Sequence, residues 1–512
     1  MGLHYSAIMP ELITAGAAIL VMLVDAISPK LERRISGGIA LMALALAGVA
    51  VAGLWDQRRT SAFHGMIVTD ELRIAFAMVF LLVTFLTVLI SLRWVREEKL
   101  PGGEYFALLL FATSGMLLMS AAGDLVIIFL GLEITSISTY VLCGYRRRDS
   151  RSNESAVKYF ILGSFSTAFL LYGIALVYGA TFNAYLSPVA STNLEIIRDR
   201  VQANALFSTP LLLVGAAMMI VGFGFKVSSA PFHVWSPDVY EGAPTPVMAF
   251  LSTGSKASAF SAFLRVFILC FAAASVAVNV PPIHGRLSAV TGALGDLQSA
   301  WTTALAVMAA LTMIIGNFAA LVQSNIKRML AYSSIAHAGY ALVGMVAHDW
   351  RSVVFYLLCY VVINIGALAV VEVEARRGDS RTKISDYSGI GFQSIGLTSA
   401  LSLFLLSLAG LPLTAGFMGK LLVFKSAWGA GFHTLVVIAV INSAVSWYYY
   451  LKVIVVMFFS KPAQEYKQPP VAGTVVTALV LMVLFTFYLG IFPGKLLSTL
   501  EGTTTRIVAL RR

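Results

Sequence analysis

The chain has 512 residues, of which 58% are hydrophobic and 12% charged, and its formal net charge is +11. No single soluble core hides that much apolar surface, and apolar runs of about 20 residues recur from end to end, which excludes an ordinary soluble enzyme and points to a many-spanning membrane protein. The positive charge is spread over loops rather than gathered into one basic tail, so the expected partner is a lipid bilayer and not a nucleic acid.

The first run, MGLHYSAIMPELITAGAAILVMLVDAI, has no basic n-region and carries Glu11 and Asp25 at its flanks. It reads as a first span rather than a secretory signal. Spans are expected at 9–27, 37–55, 72–92, 104–122, 124–143, 154–181, 209–229, 245–273, 297–321, 329–347, 350–374, 392–411, 432–458 and 471–492, about fourteen by the length rule. Lys30, Arg33 and Arg34 follow the first span, Arg93, Arg96 and Lys99 the third, and Arg146, Arg147, Arg148 and Arg151 the fifth. Lys327 and Arg328 follow the ninth, and Arg376, Arg377, Arg381 and Lys383 the eleventh. Alternate loops therefore carry most of the basic residues and are expected on the cytoplasmic side, with both termini on the outer side.

The three cysteines, Cys143, Cys270 and Cys359, lie far apart, and the seven histidines show no metal-ligand spacing. GFGFKV fails the dinucleotide fingerprint because Val227 stands at its last glycine position. No cofactor is expected in this chain.

Charges within the apolar runs are the informative residues. Glu133 sits mid-span in DLVIIFLGLEITSISTYVL, Lys226 in VGFGFKVSSAPF, Lys256 in PVMAFLSTGSKASAFSAFL and Lys420 after SLAGLPLTAGFMG. Lys158 lies about one turn into its helix, where it fits either a polar path or a lysine snorkelling to the surface. Arg265 and Lys452 are open to the same two readings. A charge at a helix centre costs about 2.5–3.5 kcal/mol on insertion, so these groups are expected to face one another or water.

Pro231 follows Lys226, and Pro412 stands among Gly410, Gly416 and Gly419 just before Lys420. A proline removes a backbone donor, and broken helices persist in a membrane only when buried in protein or lining a wet cavity. A lysine at the end of a half-helix also sits favourably against exposed carbonyls, as expected of Lys226. The two breaks are about five spans apart, and an odd spacing reverses helix direction, which is the pattern of inverted repeats in transporters. The expected fold is all-α: a polytopic membrane protein of about fourteen transmembrane helices with two inverted five-helix repeats, each containing a discontinuous helix. The expected units are 1–103 (the first three helices), 104–273 (first repeat), 274–458 (second repeat) and 459–512 (last helix and tail).

FGFKVSSAPFHVWSPDVYEGAPTPVMAFLSTGSKASAF, NIKRMLAYSSIAHAGY and LAGLPLTAGFMGK resemble the signature stretches of the antiporter-like membrane subunits of respiratory complex I. IMPELITAGAAIL and PDVYEGAPTPV resemble the N branch of that family; Lys420 stands where the M branch usually has glutamate, and there is no room for the lateral helix of the L branch. The resemblance implies proton translocation coupled to electron transfer from NADH to quinone. It implies a proton path through Glu133, Lys158, Lys226, Lys256, His337 and Lys420, with helix breaks at Pro231 and Pro412. It also implies neighbours K and M and the lateral helix of L, flavin mononucleotide and iron–sulfur clusters held by other subunits, and a bacterial inner membrane. Leu413 departs from the many relatives that carry a second proline there. A subunit of a multi-subunit cation/proton antiporter, which shares the same lysines, is the alternative, and a passive scaffold is disfavoured by the charges on both broken helices.

Overall fold

The structure, a computed structural model, describes residues 5–27, 29–57, 60–182, 190–202, 208–271, 287–461, 466 and 468–501. Its elements run α1 (Met9–Ile27), α2 (Pro29–Gly53), β1 (Thr60–Ala62), β2 (Ile67–Thr69), α3 (Glu71–Glu98), α4 (Gly102–Ala121), α5 (Leu125–Cys143), α6 (Ser150–Thr181), α7 (Leu194–Gln202), α8 (Thr209–Val227), α9 (Ser236–Gly242), α10 (Thr245–Phe250), α11 (Lys256–Leu264), α12 (Leu287–Leu321), α13 (Ile326–Val346), α14 (Trp350–Ala375), α15 (Ile395–Ala409), α16 (Ala415–Gly429), α17 (His433–Phe459), α18 (Gly473–Ile491) and α19 (Pro493–Glu501).

Among the described residues 12 helices are long and apolar enough to cross a membrane. Two further crossings are interrupted and bring the architecture to the expected fourteen. One joins α10 to α11 through a π turn at Leu251–Ser255 and continues into a second π turn at Arg265–Cys270. The other is the pair α15 and α16, whose second half continues to Gly429, well past the expected boundary at 411. The expected span 245–273 and second-repeat unit 274–458 each extend into residues 272–286, outside the described residues. The short hairpin of β1 and β2 and the amphipathic α7 fall between spans and had no counterpart in the apolar pattern.

Burial separates the centre from the lipid face. The apolar windows of α13 and α14 are 94% buried and that of α3 is 78% buried, against 33% for α1 and 39% for α6, α17 and α18. α14 packs on α3, α10, α13, α15, α16 and α18, so it is the axis of the bundle. Helix α5 crosses α4 at very short range. A Cβ on Gly115 would stand 2.6 Å from the Gly131 carbonyl oxygen, and one on Gly131 would stand 2.8 Å from the Gly115 carbonyl oxygen. Only glycine permits that approach, which is the small-residue packing expected of membrane helices.

Helix ends are fixed by acidic and amide caps: Asp70 accepts from the Arg73 N–H, Asp124 from Val126, Asp149 from Arg151, and Asn325 from Lys327 and Arg328. Charged pairs concentrate at the same levels. Asp70 also receives a two-pronged contact from Arg265, at 2.8 and 2.9 Å, so Arg265 is a buried tie between α3 and the end of the α10–α11 crossing rather than a lateral anchor. At the opposite end Asp379 accepts from Arg146 at 2.9 Å, from Lys327 at 2.9 Å and from Thr245 at 3.2 Å. Burial alone would raise the Asp379 carboxyl, but the charges of Lys327 and Arg146 outweigh it and hold the group well below the usual carboxylate range.

Two outcomes follow for stability. Asp379→Asn leaves two buried cations without their shared carboxylate, and breaking such a pair costs about 3–5 kcal/mol; the apparent melting temperature of the purified assembly is expected to fall. Gly131→Val forces α4 and α5 apart at a cost of about 1–3 kcal/mol, which is expected to lower the amount of assembled protein extracted from membranes. A wild-type melting curve for Asp379→Asn, or wild-type yield for Gly131→Val, would contradict these assignments.

Candidate functional site

Glu133, Ser136 and Tyr140 occupy positions i, i+3 and i+7 of α5 and so share one face. Lys226, in the last turn of α8, reaches this face. Its ammonium donates to Ser136 Oγ at 2.7 Å and to the Tyr140 hydroxyl at 3.4 Å. The rings of Tyr140 and Tyr159 lie 5.2 and 5.3 Å from the same nitrogen, within cation–π range. Ser136 passes its own proton to the Leu132 carbonyl at 2.5 Å. Glu133 makes no ion pair with Lys226; one of its oxygens, Oε1, is buried without a protein partner. The ammonium is therefore met by hydroxyls and rings and not by the carboxylate on the same helix face.

The chain turns beyond Val227, where Ser228 takes a left-handed conformation at φ 59°. The carbonyls freed by the break find protein donors. Gly224 O accepts from the Ser229 N–H at 2.8 Å and Ser229 Oγ at 3.1 Å, and Phe225 O from Trp235 Nε1 at 2.9 Å. So Ser229 serves the broken turn, whereas Lys226, expected against the exposed carbonyls, points to α5 instead. The hydroxyls of Tyr159, Ser228 and Tyr240 are buried here with no protein partner. The Tyr159 ring faces Lys226 and the Tyr240 ring faces Lys256, so unused hydrogen-bonding capacity lies between the two lysines.

Lys256 begins α11 directly after the π turn, whose extra residue displaces the helix face locally. Its ammonium donates to Ser334 Oγ at 2.6 Å and to the Ser334 carbonyl at 3.0 Å, and lies 5.6 Å from the Tyr240 ring. Ser334, His337 and Tyr340 follow one another at three-residue intervals along α13. His337 Nδ1 is 2.6 Å from the Tyr356 hydroxyl, and Nε2 is 3.3 Å from that of Tyr450. The Tyr340 ring lies 5.0 Å from the Lys420 ammonium. One face of α13 therefore connects Lys256 to Lys420.

Lys420 is the residue that caps a half-helix. Its ammonium donates to the carbonyls of Leu408 and Ala409, at 2.8 and 3.0 Å, and to Ser443 Oγ at 2.9 Å. These are terminal carbonyls of α15, the negative end of its dipole. The joint around Pro412 is tight: a Cβ on Gly416 would lie 1.8 Å from the Ser407 carbonyl oxygen. Leu413 has φ 67°, a conformation closed to the proline of many relatives.

Five of the six sequence-selected residues thus fall into two connected groups: Glu133 with Lys226, and Lys256, His337 and Lys420. Lys158 stands apart. Its side chain is 41% exposed and pairs with Glu154 at 2.7 Å and Asp238 at 3.0 Å, while Asp238 also accepts from Arg328 at 2.7 Å. It belongs to a surface cluster joining the two halves. Ser136, Ser334, Ser443 and the tyrosines were missed from sequence because hydroxyls are ordinary in membrane helices. For Ser136, Ser334 and Tyr340 the three-residue spacing from Glu133 or His337 was the available signal.

The model of the family described as NADH:quinone oxidoreductase/Mrp antiporter, TM, matches the chain twice, at residues 122–300 and 296–446. The NADH-quinone oxidoreductase subunit N of Trichlorobacter lovleyi is 41% identical over 97% of this chain and 96% of its own length. A chain in the structure of respiratory complex I from Thermus thermophilus with bound aureothin superposes with a TM-score of 0.75 at 34% identity, covering 95% of this chain and 98% of that one. A chain of the Mrp complex from Dietzia shares the fold at a TM-score of 0.78 with 18% identity, over 97% and 96% of the two chains. The two matches of one family model, and relatedness across nearly the whole length, fit a repeated architecture with a broken helix in each half, and the chain belongs to the NADH-quinone oxidoreductase subunit N family.

Proposed function

We propose that this chain is a proton-translocating membrane-arm subunit of an NADH:quinone oxidoreductase, itself without a redox centre, coupling electron transfer elsewhere in the complex to proton movement. The observation that carries this reading is that Lys226, Lys256 and Lys420 are all buried and all bound to hydroxyls, carbonyls and rings, with no carboxylate paired to any of them among the described residues. A lysine in such surroundings keeps its protonated and neutral forms within reach of each other, which an arginine does not.

The path follows from the contacts. Glu133 approaching Lys226 favours the ammonium; Glu133 moving away leaves it on Ser136 and aromatic faces. The proton then passes through water among Tyr159, Ser228 and Tyr240 to Lys256. From there Ser334 and His337 lead toward Lys420, and the far side is reached beyond Ser443.

Glu133 lies beside the exposed apolar residues Leu130, Ile134 and Ile137 of α5. A carboxylate on such a border needs shelter from lipid, which supports a neighbouring subunit against α5. By family resemblance this is subunit K, with M on the other flank and the lateral helix of L alongside. Flavin mononucleotide and iron–sulfur clusters are assigned to other subunits. The basic loops after α1, α3 and α5 support a reading in which those ends face the cytoplasm of a bacterium and both termini are periplasmic. The alternative, a multi-subunit cation/proton antiporter, rests on a fold shared at 18% identity, against 41% for the subunit N relative.

In membrane vesicles carrying assembled complex, Lys226→Arg is expected to keep the charge and lose NADH-driven pumping. Glu133→Ala is expected to lower pumping and NADH:quinone electron transfer together. Pumping at the wild-type rate in the arginine variant would defeat the proton-exchange role of Lys226, and normal rates in both variants would make the buried charges structural.

A further inference from the structure

The path above uses no residue in the second half of α14, yet that helix carries two buried carboxylates. Glu372 is 5% and Glu374 2% exposed. Glu374 Oε1 accepts from the Tyr466 hydroxyl at 2.8 Å. No protein group within hydrogen-bond reach meets Glu372 Oε2, and the charged groups acting on Glu372 are Arg93, Glu97, Asp379 and Arg146.

Further unpartnered polar atoms lie at the same end of the bundle. Arg93 Nη1, Trp94 Nε1, Arg146 Nε, Glu374 Oε2 and Tyr387 OH are all buried without a protein partner. A second set runs inward along α14. Tyr356, Tyr360, Asn364 and Glu372 fall on a four-residue spacing, a ridge that winds about 40° per step around α14, with only Leu368 apolar along it. The Tyr360 hydroxyl and Asn364 Oδ1 are likewise buried and unpartnered. Asn364 Nδ2 donates to Ser252 Oγ at 2.8 Å, the Tyr360 hydroxyl lies near Ser252 and Ser334, and the Tyr360 ring stacks on His337 at 5.0 Å. Ser334 is the group that holds Lys256.

We propose that Glu372 is a proton-exchanging residue at the mouth of a hydrated branch that follows this winding ridge of α14, past Asn364 and Tyr360, to Lys256. The proposal rests on the proton-translocating reading above. Asn364 and Glu372 are separated by about 12 Å of helix rise. Water fills that distance, beside Leu368. The Glu372 carboxyl gives its proton to the first water. Asn364 orients the chain through its free carbonyl oxygen. Tyr360 accepts a proton from the chain as it passes its own toward Ser334 and Lys256. The carboxylate left on Glu372 is reprotonated from solvent at the Asp379 end.

The test uses vesicles carrying the assembled complex, with NADH-driven pumping and NADH:quinone electron transfer measured in each variant. Glu372→Gln keeps the shape and removes the exchangeable proton; its pumping is expected to fall about ten-fold or more, while Glu372→Asp retains most of it. Asn364→Leu, which leaves the charged cluster intact, is expected to fall likewise. Lys256→Ala is the reference for the main path. Wild-type pumping in assembled Glu372→Gln, with Lys256→Ala impaired, overturns the branch and leaves the main reading standing. Wild-type pumping in all of them overturns both. Should Glu372→Gln fail to assemble, Asn364→Leu decides together with a high-resolution map of the wild-type complex. Ordered water between Asn364 Oδ1 and Glu372 Oε2 supports the branch, and a dry gap overturns it.

Discussion

Everything about this protein turns on keeping ammonium groups in the middle of an apolar bundle without giving them counter-charges. A charge at that depth costs about 2.5–3.5 kcal/mol on insertion scales. Each lysine recovers part of that cost from hydroxyls or carbonyls at 2.6–3.0 Å and from a ring face at 5.0–5.6 Å. A cation–π contact contributes about 0.5–2 kcal/mol. A carboxylate at the same distance would fix the proton in place. The ends of the bundle are built the opposite way. There Asp70, Asp379 and Asp238 take two or more donors each, and those charges hold helices together rather than exchange protons. Locked charges frame the bundle and unlocked ones fill its middle.

The two halves solve the broken-helix problem differently. At the first break the freed carbonyls go to Ser229 and Trp235, and the lysine is left to answer α5. At the second the lysine itself satisfies the carbonyls. An inverted repeat therefore does not imply the same chemistry in each half. The first lysine answers to hydroxyls of α5 across a helix interface; the second answers to the helix end it caps.

The long spans were legible from sequence because about 20 apolar residues in a row have one use in a chain so poor in charge. Lys226, Lys256, Lys420 and Glu133 were legible for the same reason, as charges where hydropathy forbids them. The second half-helix α16 was not, because Lys420, Lys425 and its glycines dilute the apolar signal of Ala415–Gly429. Lys158 was legible as a charge, but its partners Glu154 and Asp238 were not. Its place one turn into α6 suited a path, but whether such a lysine turns inward or outward depends on Asp238, which lies 80 residues away in sequence. Ser334 and Tyr360 were invisible for a related reason: a hydroxyl in a membrane helix acquires meaning only from what another helix brings beside it.

The capping role of Lys420 joins proton occupancy to backbone geometry. A neutral amine is a weaker partner for the α15 carbonyls than an ammonium, so losing the proton loosens the contact that closes the helix end. The joint has little slack, since the backbone of Gly416 already lies against the Ser407 carbonyl. Strain introduced at Ala409 therefore passes to α16, and through it to α14, on which α15 and α16 both pack. Helix α14 also bears Tyr356 against His337 and Asn364 against Ser252. A change of charge on one side chain thus acts on the helix that holds the rest of the path, and that is the arrangement a bundle needs if proton steps in one half are to be felt in the other.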